Sequence, residues 1–410
     1  MYCVVTGRLL SNLSLFYMII LTVYDPYEKF GLKRTINAAT SLTTLGGSMP
    51  DPSVFEAMID ASKAFIYIPE LQHWAGKKLA RALGAEAGLP TAGAVNSLML
   101  ACAACILRGT GLSEYDPLKQ PSWTHLIQRL PMHTEGLPTE FIVMADSRSE
   151  YDHAIEATGG KPVEAGSKEG VTVDDLHEAF KPGKTAAYYY TLYAFKDQVP
   201  LKEFVEIAHS HGVPVIVDAA PCLTHKAVPK KLLGDGVDMV IFSGGKQFNA
   251  PNNTGILLGK PELIRLAHLQ AYPFDGIGRA SKMSRETIVA LIASLELFMK
   301  RDDDAHYTEL LEKTRDFSDK LDAISGVKSG VIFEPSICKN VVPPSYAYIE
   351  TEKLRAVYDG LLAGSPSIKA LYEPFFITNE AANRITFKAE YLLPGDMEII
   401  LERVKELVKA

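Results

Sequence analysis

Two short runs place a charged side chain directly behind an apolar, strand-like pattern: Val215-Ile216-Val217-Asp218-Ala219-Ala220 and Val240-Ile241-Phe242-Ser243-Gly244-Gly245-Lys246. In an α/β chain such strand ends gather on one edge of the sheet, where ligands sit. A carboxylate and a lysine so placed suit pyridoxal 5'-phosphate. The aspartate keeps the pyridine nitrogen protonated, and the lysine forms a Schiff base with the aldehyde. The freed lysine amine is then a base for the proton at the substrate's α carbon. The phosphate needs donors. Gly93 and Ala94, where a helical pattern opens, offer backbone N–H groups and the positive end of a helix dipole, and Ser243 adds a hydroxyl. An aspartate that ends a strand more often only caps a turn. It is the order of the three pieces along the chain that points to a cofactor.

The elements that must hold these residues are legible in the hydrophobic periodicity. From about Arg34 helical and strand patterns alternate, the mark of an α/β domain with a mainly parallel sheet. Asp51-Pro52 supplies an N-cap and a proline at the first helical position, Leu71 to Leu83 reads as a second helix closed by Gly84, and Ala94 to Leu107 is apolar all round and so belongs in a core. Strands are expected at 141–145, 186–191, 213–217 and 239–242, and helices at 151–158, 201–210 and 284–299. Beyond 300 a charged helix, short strands near Val331, Tyr346 and Ile385, and a last helix from Gly395 predict a smaller α+β domain. The expected division is 1–33 as an extension, 34–300 as the cofactor-binding large domain and 301–410 as the C-terminal domain.

Further motifs join the first two. Ile36-Asn37-Ala38-Ala39, Leu45-Gly46-Gly47-Ser48, Gly84-Ala85-Glu86-Ala87, Asn253-Thr254-Gly255-Ile256 and Gly276-Ile277-Gly278-Arg279 stand in order around the aspartate and lysine runs. Together they resemble the selenocysteine synthase and D-glucosaminate-6-phosphate ammonia-lyase group of fold-type-I pyridoxal phosphate enzymes. The resemblance covers about Arg34 to Met299, and more loosely the remainder. It implies a large domain with a mixed, mainly parallel seven-stranded sheet, and a homodimer or higher homo-oligomer whose sites share residues. It implies that Thr254 reaches the phosphate of the neighbouring subunit's cofactor. Arg279 becomes a candidate for a substrate carboxylate or phosphate, which a guanidinium grips in a bidentate way. Arg148 and Gln72 are further substrate-binding candidates. Two positions depart from the group: Asn249-Ala250-Pro251 stands where Gly-Gly-Pro is usual, and Ser147 where a histidine often precedes the arginine, so a ring-stacking imidazole is missing.

Bulk properties narrow the partners. A net charge of −7 over 410 residues, with no Lys/Arg-rich block, leaves no footprint for nucleic acid. The apolar stretch from Leu9 to Tyr24 is broken by Ser11, Asn12 and Ser14, too short and interrupted for a membrane span. Met18 is the expected native start. Five cysteines, an odd number, argue against a disulfide framework and for a cytoplasmic setting. Cys102 and Cys105 lie inside the apolar helix and read as core. His209 and His211, with no carboxylate or cysteine at metal spacing, read as a solvated turn, and no metal is expected. His73 beside Gln72 could line a site, and Tyr188-Tyr189-Tyr190 reads as a buried strand.

The group's chemistries share their first half, imine exchange and loss of the α proton to Lys246. Elimination of a β-hydroxyl and hydrolysis then give a 2-oxo acid and ammonia, whereas addition of a nucleophile gives β-replacement on a charged tRNA. The tRNA-acting relatives carry an extra N-terminal domain before the Ile-Asn motif, but 35 apolar-leaning residues precede Ile36 here. The expectation is a lyase acting on a small, anionic 2-amino-3-hydroxy acid. Aldolase, racemase and transaminase outcomes stay open, as does a catalytically silent homologue that serves as a binding subunit.

Overall fold

The structure is a computed structural model that describes residues 25–116, 118, 127–193, 198–333, 345–373 and 383–409. The segment read as preceding a start at Met18 lies outside the described residues. The described chain forms two compact units, one of residues 46–304 and one of residues 25–45 with 305–333 and 345–409.

The first strand, β1 (Thr35–Asn37), departs from expectation. The expected boundary at residue 34 puts it in the large domain, but it pairs in parallel with β11 (Ser367–Lys369) in the small unit. Its buried Ile36, with neighbouring Ala38, completes an apolar cluster there, and only pairing with the distant strand gives so short a segment its order.

The large unit is built on a seven-stranded sheet of β2 (Ala87–Thr91), β3 (Glu140–Met144), β4 (Lys161–Ala165), β5 (Thr185–Thr191), β6 (Val215–Asp218), β7 (Met239–Ser243) and β8 (Gly255–Gly259), in the order β2-β8-β7-β6-β5-β3-β4. Only β8 runs against its neighbours. The sheet is therefore mixed and mainly parallel, as expected. β5 is buried along its whole length, as a strand covered on both faces must be. Three helices lead into it. In α1 (Pro52–Ser62) the Asp51 side chain accepts the Ser53 N–H, α2 (Ile68–Leu83) ends on Gly84 at φ 78°, and α3 (Ala94–Leu107) is nearly all buried. Leu100, Ala101 and Ile106 of α3 share one core with Val143, Tyr189, Ile216, Ile241 and Leu257 of the sheet. An apolar face all round is what this central helix needs.

The small unit has an antiparallel sheet of β9 (Lys328–Phe333), β10 (Ser345–Glu350), β12 (Leu371–Glu373) and β13 (Arg384–Phe387), in the order β12-β13-β10-β9. Helices Leu354–Ala363 and Asp396–Lys409 and most of Asp303–Asp322 belong with it, around Phe317, Ile349, Val357, Ile385, Phe387 and Ile400. No described helix is long and apolar enough to cross a membrane.

Candidate active site

The sheet gathers the chemistry on one edge. β5, β6 and β7 end there and β8 begins there, with Thr91, Gly255 and Ser243 abreast in the register and Asp218 beside Ile241. Lys246 follows β7 in a tight turn: Gly244 N–H donates to Thr254 O (2.9 Å), Ala250 N–H to Gly244 O (2.8 Å), and Asn249 N–H to Lys246 O (2.9 Å). The two glycines are required by packing. A Cβ on Gly244 would lie 2.0 Å from Thr254 Oγ1, and one on Gly245 2.5 Å from Asn252 Cα. Asn249 takes φ 55°, a left-handed conformation that asparagine tolerates better than most side chains. The departure from Gly-Gly-Pro thus keeps the turn. Ser48 N–H donates to Gly245 O (2.9 Å), and a Cβ on Gly47 would lie 2.6 Å from the same oxygen, which accounts for the Gly47-Ser48 pair.

Asp218, the last residue of β6, is 1% exposed. Its Oδ1 accepts Ala220 N–H (3.0 Å) and its Oδ2 accepts the Tyr193 hydroxyl (2.8 Å). Burial pushes the carboxyl above its ordinary range, while these two donors and the Lys246 charge pull the other way. The Tyr193 phenol is itself pushed up, by burial first and then by the Asp218 charge, so it stays a proton donor. Neither Tyr193 nor its role was legible in the sequence, because nothing in Thr191-Leu192-Tyr193 marks the residue that follows a strand as a partner of the next one.

Gly93 caps α3 at φ 93°, and the first turn of the helix is open to an anion, since its leading N–H groups have no partner within the helix. Asn96, in that turn, accepts Ala92 N–H (3.3 Å) through Oδ1, while its buried Nδ2 has no hydrogen-bond partner. Thr224 Oγ1 and Gln247 Oε1, in the loops that follow β6 and β7, are buried and unpartnered as well. Orphaned polar atoms of this kind call for a ligand or water. With a buried carboxylate, a lysine turn and an anion-ready helix start on the same edge, the residues fit pyridoxal phosphate. Asn96 is a phosphate-side candidate that sequence reading missed. Arg301 is another omission: it donates to Thr224 O (2.7 Å) and Gln247 O (3.4 Å) and pairs with the buried Asp303 (2.9 Å), tying the two loops together.

Other expected residues stand elsewhere or are already engaged. Thr254 is buried within the single chain and donates its hydroxyl to Pro251 O (2.7 Å), which shapes the lysine turn. Arg148 is held by Asp152 (2.5 Å) and Glu164 (2.5 Å), a commitment its i,i+4 partner could have signalled. Gln72 is 2% exposed; its Nε2 donates to Tyr272 O (2.7 Å) and its Oε1 meets His268 Nε2 (3.0 Å). With His73 it lines a cavity beside Ala87 and Gly88, at the opposite end of β2 from Thr91. Arg279 remains accessible, paired with Asp275 (3.2 Å) and lying over the Tyr272 ring. His209 does have a carboxylate partner, Asp238 (2.8 Å), supplied by the residue before β7. Cys102 and Cys105 are free and buried, their thiols pushed up by burial, whereas Cys222 is disulfide-bonded. Among the described residues no cluster of His, Cys, Asp and Glu could hold a metal.

The family model described as SelA, L-seryl-tRNA selenium transferase, matches residues 152–324. The chain is 31% identical over 277 residues to the D-glucosaminate-6-phosphate ammonia lyase of Salmonella typhimurium (strain 14028s / SGSC 2262), spanning 66% of this chain and 69% of that protein. It is 29% identical over 312 residues to the 5'-C-glycyluridine monooxygenase-decarboxylase of a Streptomyces sp, spanning 74% of this chain and 72% of that protein. A solved structure of D-glucosaminate-6-phosphate ammonia-lyase superposes with a TM-score of 0.77 at 24% identity, covering 95% of this chain and 99% of that one.

Proposed function

Because the chain belongs to the selenocysteine synthase and D-glucosaminate-6-phosphate ammonia-lyase group of fold-type-I pyridoxal phosphate enzymes, we propose that it is an ammonia-lyase for a small, anionic 2-amino-3-hydroxy acid. The observation that carries this reading is the convergence of Asp218, the Lys246 turn and the Gly93-Ala94 helix start on one sheet edge. Pyridoxal phosphate, when bound, takes up the electron pair left at the substrate's α carbon. Lys246 would anchor it, Asp218 would face its ring nitrogen, and Gly93, Ala94 and Asn96, with Ser243 nearby, would hold its phosphate. The Lys246 amine takes the α proton and the β C–O bond breaks, with the hydroxyl leaving as water. Water then returns at the α carbon, the C–N bond breaks, and a 2-oxo acid and ammonia leave. Arg279, the accessible guanidinium of the expected set, is the candidate for the substrate's anionic group. The name of the Salmonella relative, whose substrate carries a phosphate, supports both the leaving ammonia and the anion.

The test has two parts. The purified protein should show a visible absorption band with added pyridoxal phosphate that Lys246→Ala abolishes, and a panel of anionic hydroxy amino acids should yield ammonia and 2-oxo acid in equal amounts. A colourless protein that takes up no cofactor would sink the enzyme reading in favour of a silent binding homologue. The match to the selenium-transferase family model supports β-replacement as a second reading. Retention of a charged seryl-tRNA in a gel shift, with no ammonia released, would favour it. The same proposal includes a homodimer: Phe55, Ile59, Phe65, Ile66, Tyr67 and Trp74, close together in sequence, are large and exposed, and a second copy is their proposed cover.

A further inference from the structure

Three strand ends meet around the carboxylate that would hold the cofactor's ring nitrogen. Asp218 ends β6, Tyr193 stands two residues past β5, and Ser149 lies beyond β3. Tyr193 Oη is 2.8 Å from Asp218 Oδ2 and 3.3 Å from Ser149 Oγ. Ser149 is in turn fixed from behind: its N–H donates to Asp152 Oδ2 (3.2 Å), the same oxygen that Arg148 Nε reaches at 2.5 Å, and its Oγ accepts Tyr151 N–H (3.2 Å). Arg148 continues to Glu164 on β4. A connected polar chain therefore runs from the edge strand β4, past the ends of β3 and β5, to the carboxylate.

We infer that Tyr193 is a positioning residue for Asp218: its hydroxyl, backed by Ser149 and the Arg148–Asp152 pair, holds the carboxylate in one orientation and in its charged form. This rests on the reading of Asp218 as the partner of the ring nitrogen. A phenol that stays protonated can only donate to the carboxylate, and donation stabilises the anion. With Ala220 N–H on the other oxygen, each oxygen carries one donor, and lone pairs are left over for a protonated ring. The other groups facing Asp218 are Lys246 from the β7 turn, which also favours the charge, Asp152, which opposes it, and the buried, protonated Tyr189 of β5. Burial is the main opposing force. Tyr193 is the side-chain donor that offsets it within the sheet edge. The Arg148 of the sequence reading then has a use away from substrate, as the anchor of the segment that supports Tyr193.

The test uses the full chain freed of cofactor and titrated with pyridoxal phosphate across a pH series, with binding read by visible absorbance and tryptophan fluorescence. Tyr193→Phe keeps the ring and removes the hydroxyl, so the Asp218 carboxyl should be harder to ionise. The acid limb of cofactor affinity should move up by about one pH unit, with affinity about tenfold weaker along that limb and the two proteins converging at higher pH. Ser149→Ala should move the limb the same way by less, and it decides the matter if Tyr193→Phe does not fold. Binding curves for Tyr193→Phe that superimpose on wild type at every pH, whatever its melting temperature, would overturn the inference. Asp218→Asn separates the two levels. If it binds as wild type does, the assignment of Asp218 fails; if it loses affinity while Tyr193→Phe does not, only the role of Tyr193 fails.

Discussion

Gly255→Ala is the sharpest single perturbation of this site that touches none of its chemical groups. Gly255 opens β8 and is paired with Thr91 on one side and Ser243 on the other. A Cβ there would lie 2.5 Å from the carbonyl carbon and oxygen of Gly93 and 2.5 Å from Thr91 Oγ1, where ordinary contact begins at 3.4 Å. Two of these three atoms are backbone, so no flexible side chain can give way. The start of α3 must retreat by about 1 Å, a displacement of the size that costs a positioned reaction about a hundredfold. Overpacking of this kind costs about 1–3 kcal/mol of stability. The assay compares urea unfolding with and without cofactor, and the affinity for pyridoxal phosphate against that for pyridoxal. The variant should lose about tenfold of its preference for the phosphorylated form, since the loss falls on the helix start and leaves Asp218 in place. Gly234→Ala, where a Cβ meets nothing within 4 Å, is the control. A variant with wild-type stability and undiminished phosphate preference would refute the placement of the phosphate against Gly93.

Three further outcomes can be checked. His268, fully buried against Gln72, is pushed down to about 4 by burial first and His73 second. The folded state therefore refuses a proton that the unfolded chain accepts, so stability is complete above pH 6.5 and falls by up to ~3 kcal/mol as pH drops toward 4, a slope that urea unfolding of His268→Gln should flatten. Arg301→Met strips the buried Asp303 of its nearest cation and frees the carbonyls of Thr224 and Gln247; a loss of about 2–4 kcal/mol is expected in urea unfolding. Ile59→Asp puts a charge on the exposed apolar stretch and should shift the protein toward monomer in light scattering, with its secondary structure kept.

What could be read in the sequence was local. The N-cap and proline at 51–52, the all-round apolar α3, and the apolar strands running into Asp218 and Lys246 each declare themselves within a few residues. β2 and β8 do not. Ala87-Gly88-Leu89-Pro90-Thr91 carries both a glycine and a proline, its order comes from a partner strand far along the chain, and a Cβ on Gly88 would lie 2.9 Å from the backbone carbonyl oxygen of Gly76 on α2. The same limit hid Tyr193 and Asn96, whose roles exist only once strand ends are neighbours. Arg148 and Gln72 show the converse: a polar residue looks available until its internal partners are known, and here Asp152 and Glu164 take up the Arg148 donors, Tyr272 O accepts the Gln72 amide N–H, and His268 Nε2 meets the Gln72 carbonyl oxygen.

The pairing of β1 with β11 has a consequence for how the protein comes into being. Residues 35–37 leave the ribosome early, yet the strand that receives them, 367–369, is made only after the whole large unit. Ile36 and Ala38 must wait through that interval without their core, a liability that nascent chains meet by binding chaperones. A fragment that starts at 301 would lack the same two side chains. The small unit can close only after residue 369 has been made, so a nonsense mutation before residue 367 would leave the apolar segment around Ile36 exposed.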